Sequence, residues 1–492
     1  MAVKQVKTES GVVQGIPCGN PLYTVFKGIP YAKPPVGELR WCPPQPVEPW
    51  EGVKKADHFS CIAPQVRHPQ GSRYQKEFFQ YPEPMSEDCL YLNIWTPANS
   101  EKENLPVVFW IHGGALAGGY SFEPEFDGEG MCRQGIILVT INYRVGALGF
   151  MAHPELTEES GYHGSGNYGH MDQIAALKWV KRNIQAFGGD PDNITVCGQS
   201  SGAISAQILM CSPLSREDVS KVILESGGGI WAGFDAYSTD LKTAEELGLS
   251  YMKKMNCNSI EELRKVPWEK IIEGQPSQPY EAKFATVVDG WVLPDDPVKM
   301  VLKDDYKEVP CLIGNTSVEM TFTPQDNPEQ FEEQARNFYG EQADEYLKHI
   351  HGEKDRVRVW SMANTMTVSN RAFAELRWKQ GHSPAYVYYF DRNIPGENVG
   401  AFHSSELWYV FQTLYRCWRP MCGVDFDLAN TVAAYWGNFA KTGNPNGEGL
   451  PEWTPYTQEK PLHMELGEKV GMMSIAETDD QKFQKDFLLK EA

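Results

Sequence analysis

From about residue 90 the chain sets short, near-continuous apolar runs against segments of helical period. The runs are "YLNIWTP", "LPVVFWIHGG", "GIILVTINY" and "ITVCGQSSG", and "SKVILESG", "VPCLIGNT" and "SPAYVYYF" follow later. Strands that are apolar throughout must be covered on both faces, so the pattern predicts an α/β fold built on a large, mostly parallel central sheet flanked by helices. Between the third and fourth runs, "MDQIAALKWVKRNIQAF" changes period. Ile174, Leu177, Trp179, Val180 and Ile184 form one broad apolar face, Lys178, Lys181 and Arg182 take polar positions, and "FGGDP" ends the segment with glycine and proline. This predicts a helix lying on the sheet.

Outside that stretch the pattern is looser. The first 60 residues alternate short apolar stretches with prolines, as in "GIPYAKPPVGELRWCPPQPVEPW", which predicts a β-rich edge region. Residues 240 to 270 and 325 to 380 read as helices laid over the cleft or the sheet. With no low-complexity linker and no internal repeat, residues 1–492 are expected to form one domain with long insertions.

The run "ITVCGQSSG" ends in Ser200, set between Gly198 and Gly202, with a helix-forming segment from Ala203 to Met210 behind it. A buried strand running straight into a helix requires a sharp turn there. Such a turn strains the serine backbone and points its hydroxyl away from the sheet, as a nucleophile requires. The alternative is an ordinary glycine turn with a solvated serine. A serine hydroxyl attacks only if a base takes its proton, and the base works best when an acid orients it.

Of the eleven histidines, His58, His68, His153, His163 and His170 precede the serine in proline-, glycine- or charge-rich contexts and read as surface or turn residues. His403, in "GENVGAFHSSELWYVF", follows it and fits the chain order nucleophile, acid, histidine. The acid candidate is Glu319 in "VPCLIGNTSVEMTFTP", just past a probable strand end, with Asp295 and Glu406 as substitutes. The glycine-rich turn in "LPVVFWIHGGALAGG" offers backbone N–H groups at Gly114 and Ala115, and Ser201 offers a third, for the oxyanion formed when an ester carbonyl is attacked.

Composition narrows the function classes. A length of 492 residues with 41% hydrophobic residues supports a large core. A formal charge of -20 argues against general nucleic-acid binding and mildly against polyanionic substrates. The amino terminus shows no signal-like apolar region, no apolar run is long enough to cross a bilayer, and the eleven cysteines form no close metal-ligand pairs, which together predict a cytoplasmic protein. The expected partner is a small-molecule ester, without nucleic acid or membrane, and the expected state is a monomer or weak homo-oligomer.

These residues resemble the type-B carboxylesterase and cholinesterase family of α/β-hydrolases, in a bacterial para-nitrobenzyl-esterase-like form. The resemblance spans nearly the whole chain: "FKGIPYAKPPVGELRW", "SEDCLYLNIW", "VVFWIHGGALAGG", "NYRVGALGF", "GNYGHMDQIAALKWVKRNIQAFGGDPDNITVCGQSSG", "GNTSVE" and "GAFHSSELWYVF" stand in family order. It implies the α/β-hydrolase fold and makes Ser200 the nucleophile, Glu319 the acid, His403 the general base, and Gly114, Ala115 and Ser201 the oxyanion donors. It also implies a disulfide between Cys61 and Cys89, closing a loop over the cleft that carries Phe78, Phe79 and Tyr81.

The chain departs from the family pattern in places. Gln199 replaces the common glutamate before the nucleophile, Ser201 the usual alanine after it, and "SVEM" the usual surroundings of the acid, while Phe79 stands where cholinesterases have their choline-binding tryptophan.

The expected function is a serine carboxylesterase acting through an acyl-enzyme, with no cofactor and no metal. A feruloyl or other aryl-ester specialisation is the alternative within enzymes. A non-catalytic adhesion protein on the same fold is the alternative outside them, disfavoured by the retained serine, glutamate and histidine. Phe78, Phe79 and Trp408 are expected as aromatic cleft walls, with neutral esters of small or medium acyl groups preferred over anionic ones.

Overall fold

The apolar runs pair into one sheet, eleven-stranded among the described residues. The computed structural model describes residues 3–18, 23–231, 238–275, 284–320 and 327–490. In chain order the strands are β1 (Ile16–Pro17), β2 (Thr24–Pro30), β3 (Tyr91–Thr96), β4 (Leu105–Ile111), β5 (Ile137–Ile141), β6 (Gly189–Gln199), β7 (Lys221–Glu225), β8 (Cys311–Thr316), β9 (Tyr386–Phe390), β10 (Leu462–Leu466) and β11 (Val470–Ser474). They lie side by side as β11-β10-β9-β8-β7-β6-β4-β5-β3-β2-β1. The stretch from β10 to β5 is parallel, and both margins are antiparallel.

Period-two alternation splits each central strand between two cores. On β4, Val107, Phe109 and Ile111 join one apolar cluster with Ile174, Leu177 and Val180 of α1 (Tyr168–Asn183). Val108 and Trp110 join the other, with Val432, Trp436 and Phe439 of a later helix. Helices thus cover both faces, as continuously apolar strands require. Besides α1, four helices matter below: α2 (Ser201–Cys211), α3 (Met362–Lys379), α4 (Gly423–Thr442) and α5 (Asp479–Lys490).

The chain forms β4, then β5 on one side of it, then crosses to place β6 on the other side, where the sheet goes on growing. The carboxyl ends of β4 and β6 therefore flank the point where the winding reverses. Loops leaving neighbouring strand ends diverge there and leave a crevice.

The runs from residue 90 onward form strands as expected, but β6 begins at Gly189 rather than Ile194, because Leu105 of β4 pairs with Gly189 across a register shift. The edge region is β-rich as expected, with a separate sheet of Gln5–Thr8, Gly11–Gln14 and Val53–Lys55 beside β1 and β2. Residues 241–273 and 328–379 are mainly helical, whereas 276–283 and 321–326 lie outside the described residues.

Of the histidines expected at the surface or in turns, His153 stands in the turn before the helix Pro154–Glu159 but is buried, and His170 is neither exposed nor in a turn. His170 lies in α1, between Thr286 Oγ1 at 2.9 Å and Gln173 Oε1 at 3.0 Å, and burial pushes its pKa down to about 4. Two neutral hydrogen-bond partners suffice to keep an imidazole uncharged in the core.

Candidate active site

Ser200 occupies the turn between β6 and α2 with φ 59° and ψ -127°, a conformation costly for a residue with a side chain. Sterics force it. A Cβ on Gly198 would lie 2.3 Å from the Gly202 carbonyl oxygen, and a Cβ on Gly202 would lie 2.1 Å from that of Ile111 on β4. Only glycine at both positions lets strand, turn and helix close this tightly. The Ser200 N–H donates to the Glu225 carbonyl at 2.8 Å, tying the turn to β7.

The loop after β4 lies beside the serine. Gly114 has φ 105° and Ala115 and Leu116 have φ 58°, a run of left-handed residues that bends the loop so that Gly114 and Ala115 line the crevice. Among the described residues no acceptor takes the N–H groups of Gly114, Ala115 or Ser201. The Ser201 hydroxyl accepts from Leu116 N at 3.2 Å and so fastens this loop to the start of α2. Gln65 braces its far end, accepting from Gly119 N at 2.8 Å and donating to Gly119 O at 3.0 Å. Neither support stood out in the sequence, since both act across long chain separations.

Glu319 and His403 come together from the next strands. Glu319 follows β8 with φ 57° and is fully buried. One of its oxygens accepts from Thr316 N at 2.7 Å and from Ser226 Oγ at 2.7 Å, while the other meets His403 Nδ1. The loop after β9 is zipped to the acid loop by Val318 N donating to Ala401 O at 3.1 Å and by a parallel bridge between Glu319 and Phe402. His403 Nε2, the nitrogen facing away from the acid, is met by the Gln199 amide at 3.1 Å.

Ser226, at the end of β7 with φ 48°, was missed by sequence reasoning. Its signal was a serine at the carboxyl end of the apolar run "SKVILESG", the same kind of place that drew attention to Ser200.

The rival acids separate. Asp295 is partly exposed and held by Lys303 at 2.6 Å, outside the cleft. Glu406 is buried and takes only a long bond, 3.4 Å, from Ser226. Burial, with the charges of Glu225 and Glu319 beside it, pushes the Glu406 carboxyl well above the usual carboxylate range. Burial raises Glu225 to about 7, against hydrogen bonds from Trp436 and Cys197. Of these three crowded carboxyls, Glu319 has the largest set of hydrogen-bond partners, in Thr316, Ser226 and His403.

The cleft encloses about 510 Å³ of free space including its open mouth, and Ser200, His403, Gln199, Gly114 and Ala115 all line it. Phe78 and Phe79 line it as well, and His68 stacks on Phe79 with centroids 4.2 Å apart. His68 is therefore a cleft residue rather than the expected surface one, and burial lowers it to about 4. Trp408 is not a wall: it is buried behind Phe78, at 5.9 Å. Glu123 and Glu125, which the sequence reading passed over, also line the cleft. They are hydrogen-bonded to each other, and burial raises Glu123 to about 8 and Glu125 well above the usual carboxylate range, which favours the protonated, uncharged form of both at neutral pH.

The bridge expected between Cys61 and Cys89 is not formed: both are free thiols. Cys89 is packed in the apolar core and Cys61 is only partly buried, and burial raises both thiols, Cys89 far more.

Known proteins carry the same frame. The model of the carboxylesterase family matches residues 2–379 and 322–484. The chain belongs to the carboxylesterase family. It is 34% identical to the fumonisin B1 esterase of Sphingopyxis macrogoltabida, over 94% of this chain and 86% of that protein. With the para-nitrobenzyl esterase of Bacillus subtilis (strain 168) it shares 33% identity, over 93% and 94%. A solved thermophilic PNB esterase superposes with a TM-score of 0.84 at 30% identity, covering 99% of each chain. The fold is thus the α/β-hydrolase fold, and the activity is carboxylic-ester hydrolysis of the serine-hydrolase type.

Proposed function

We propose that Ser200 is the nucleophile, His403 the general base and acid, Glu319 the orienting carboxylate, and the N–H groups of Gly114, Ala115 and Ser201 the oxyanion donors. The observation that carries this reading is the convergence, in one cleft, of the strained Ser200 turn with the His403–Glu319 pair.

Ser200 Oγ attacks the ester carbonyl while His403 Nε2 takes its proton. The oxyanion is met by N–H groups that have no other acceptor among the described residues, so little reorganisation is needed. His403 then gives the proton to the departing alkoxide as the C–O bond breaks. Water repeats the sequence on the acyl-enzyme, and the acid leaves. His403 Nε2 must be clear to accept, so the Gln199 amide leaves it as substrate enters.

Phe78, Phe79 and the stacked His68 make one wall apolar, which favours small or medium apolar acyl groups. The acidic balance of the whole chain, a formal charge of -20, disfavours anionic ones at long range. The same proposal takes residues 1–492 as one domain and the cytoplasm as its compartment, in keeping with eleven free thiols.

An active-site organophosphonate is expected to label Ser200 alone, as read by intact mass and peptide mapping, and a label elsewhere in active protein overturns the assignment. Neutral esters are expected to show higher kcat/KM than dicarboxylate monoesters with the same leaving group, at low and high salt alike. The reverse order rejects the acyl preference and leaves the nucleophile standing.

A further inference from the structure

Away from the cleft, α3, the edge strands β9 to β11 and the start of α5 enclose a second cavity of about 1000 Å³ including its open mouth. Arg371 and Asn364 of α3 both line it, and both are more than nine-tenths buried, at 7% and 5% exposure. Arg371 makes no ion pair or hydrogen bond among the described residues, and its Nη1 is wholly enclosed. Asn364 is held in one orientation: its Oδ1 accepts from Arg358 Nη1 at 3.3 Å and from Gln481 Nε2 at 2.9 Å. Its Nδ2 is thereby left as an enclosed donor with no acceptor.

The nearby carboxylates are engaged elsewhere or stand apart. Asp480 holds Arg358 at 2.7 Å and Glu477 holds Lys485 at 3.1 Å, while Glu465 lines the cavity without pairing with Arg371. An arginine cannot escape its burial by losing its proton. A guanidinium that lines a polar cavity without an acceptor from the chain is costly unless an acceptor comes from outside it.

We infer that this cavity is a binding site for a small oxyanion, a carboxylate or phosphate group, which the Arg371 guanidinium would hold. A planar fork suits the paired oxygens of either group. Ser317 also lines the cavity, two residues before Glu319, so the site lies against the loop that carries the acid but is separate from the ester cleft.

The test is calorimetric titration of the intact protein with inorganic phosphate and with acetate, at ionic strength held constant with sodium chloride. Saturable binding of at least one of them is expected, and the tighter of the two identifies the headgroup. Arg371→Met is expected to weaken it about tenfold or more, the loss of a charge-assisted pair. Arg371→Lys, which keeps the charge and loses the fork, is expected to fall between. If the methionine variant does not fold, selenate soaked into wild-type crystals is expected to give an anomalous peak beside Arg371. Absence of saturable binding by both anions, affinity unchanged in Arg371→Met, or selenate found only elsewhere each overturns the inference, leaving a water-filled cavity.

Discussion

The turns that carry Ser200 and Glu319 stand at the ends of β6 and β8, with one strand between them, and both force a non-glycine residue to positive φ. They are held in different ways. The serine turn is imposed by steric contact: Gly198 and Gly202 have no room for a side chain, so the backbone has one way to pass from strand to helix. The acid turn is held by polar contacts, one local, from Thr316 three residues before it, and others from afar, from Ser226 on the neighbouring strand end and from the loop bearing His403. The Gly198–Gly202 contact is written in neighbouring residues, whereas the contact with Ile111 and the distant bonds to the acid exist only once the sheet has formed.

The largest expected effect falls on the acid. Glu319→Ala should lower kcat by about 10³ to 10⁴ with little change in KM, because the carboxylate matters most when His403 becomes charged. Asp295→Ala and Glu406→Gln should remain within about tenfold of wild type. Steady-state kinetics on the three folded variants decides, and near-normal turnover by Glu319→Ala would move the orienting role to another residue.

Next comes the steric turn. Gly202→Ala places a methyl group against the Ile111 carbonyl, and a cost of about 3 kcal/mol is expected as strand, turn and helix are pushed apart. Denaturant unfolding measures it. A loss of stability smaller than that caused by Ser226→Ala would mean that hydrogen bonding, not close approach, holds the nucleophile turn.

The smallest effect tests the buried carboxyls behind the acid. Burial raises the Glu225 pKa from 4.5 to about 7, so the folded chain keeps a proton that the unfolded chain loses first. The stabilisation relative to the ionised group is fully present below pH 4.5 and is lost as pH rises toward 7, on the order of 3 kcal/mol. Glu225→Gln should therefore gain stability relative to wild type between pH 5 and pH 7.5 in paired denaturation curves. A constant difference would show that Glu225 is ionised throughout.

Much of the frame was legible because apolar runs that need cover on both faces have few ways to pack. The runs from "YLNIWTP" to "SPAYVYYF" became β3 to β9, and the helix over 171–187 lies within α1 and the short turn that follows it. Strands β10 and β11 and the helix α4 were not singled out. β11 lies at the sheet margin and leaves Met473 48% exposed, so its pattern lacks the continuous apolar character of the central strands. In the site, Ser200, Glu319 and His403 were legible from chain order and from the family motifs. Ser226, Gln65 and the buried pair Glu123 and Glu125 were not, because a buried polar residue looks in sequence like a solvated one.

The sequence by itself determined the pattern of strands and helices and the sharp turn at Ser200, since local sterics and periodicity act between residues close in the chain. Only the tertiary structure decided which of three acids meets His403, that the Gln199 amide rests on its other nitrogen, that Trp408 stands behind the cleft wall, and that Cys61 and Cys89 remain apart. Those outcomes depend on distance and dielectric between groups tens to hundreds of residues apart. The chain order does not contain these quantities until the sheet brings the strand ends together.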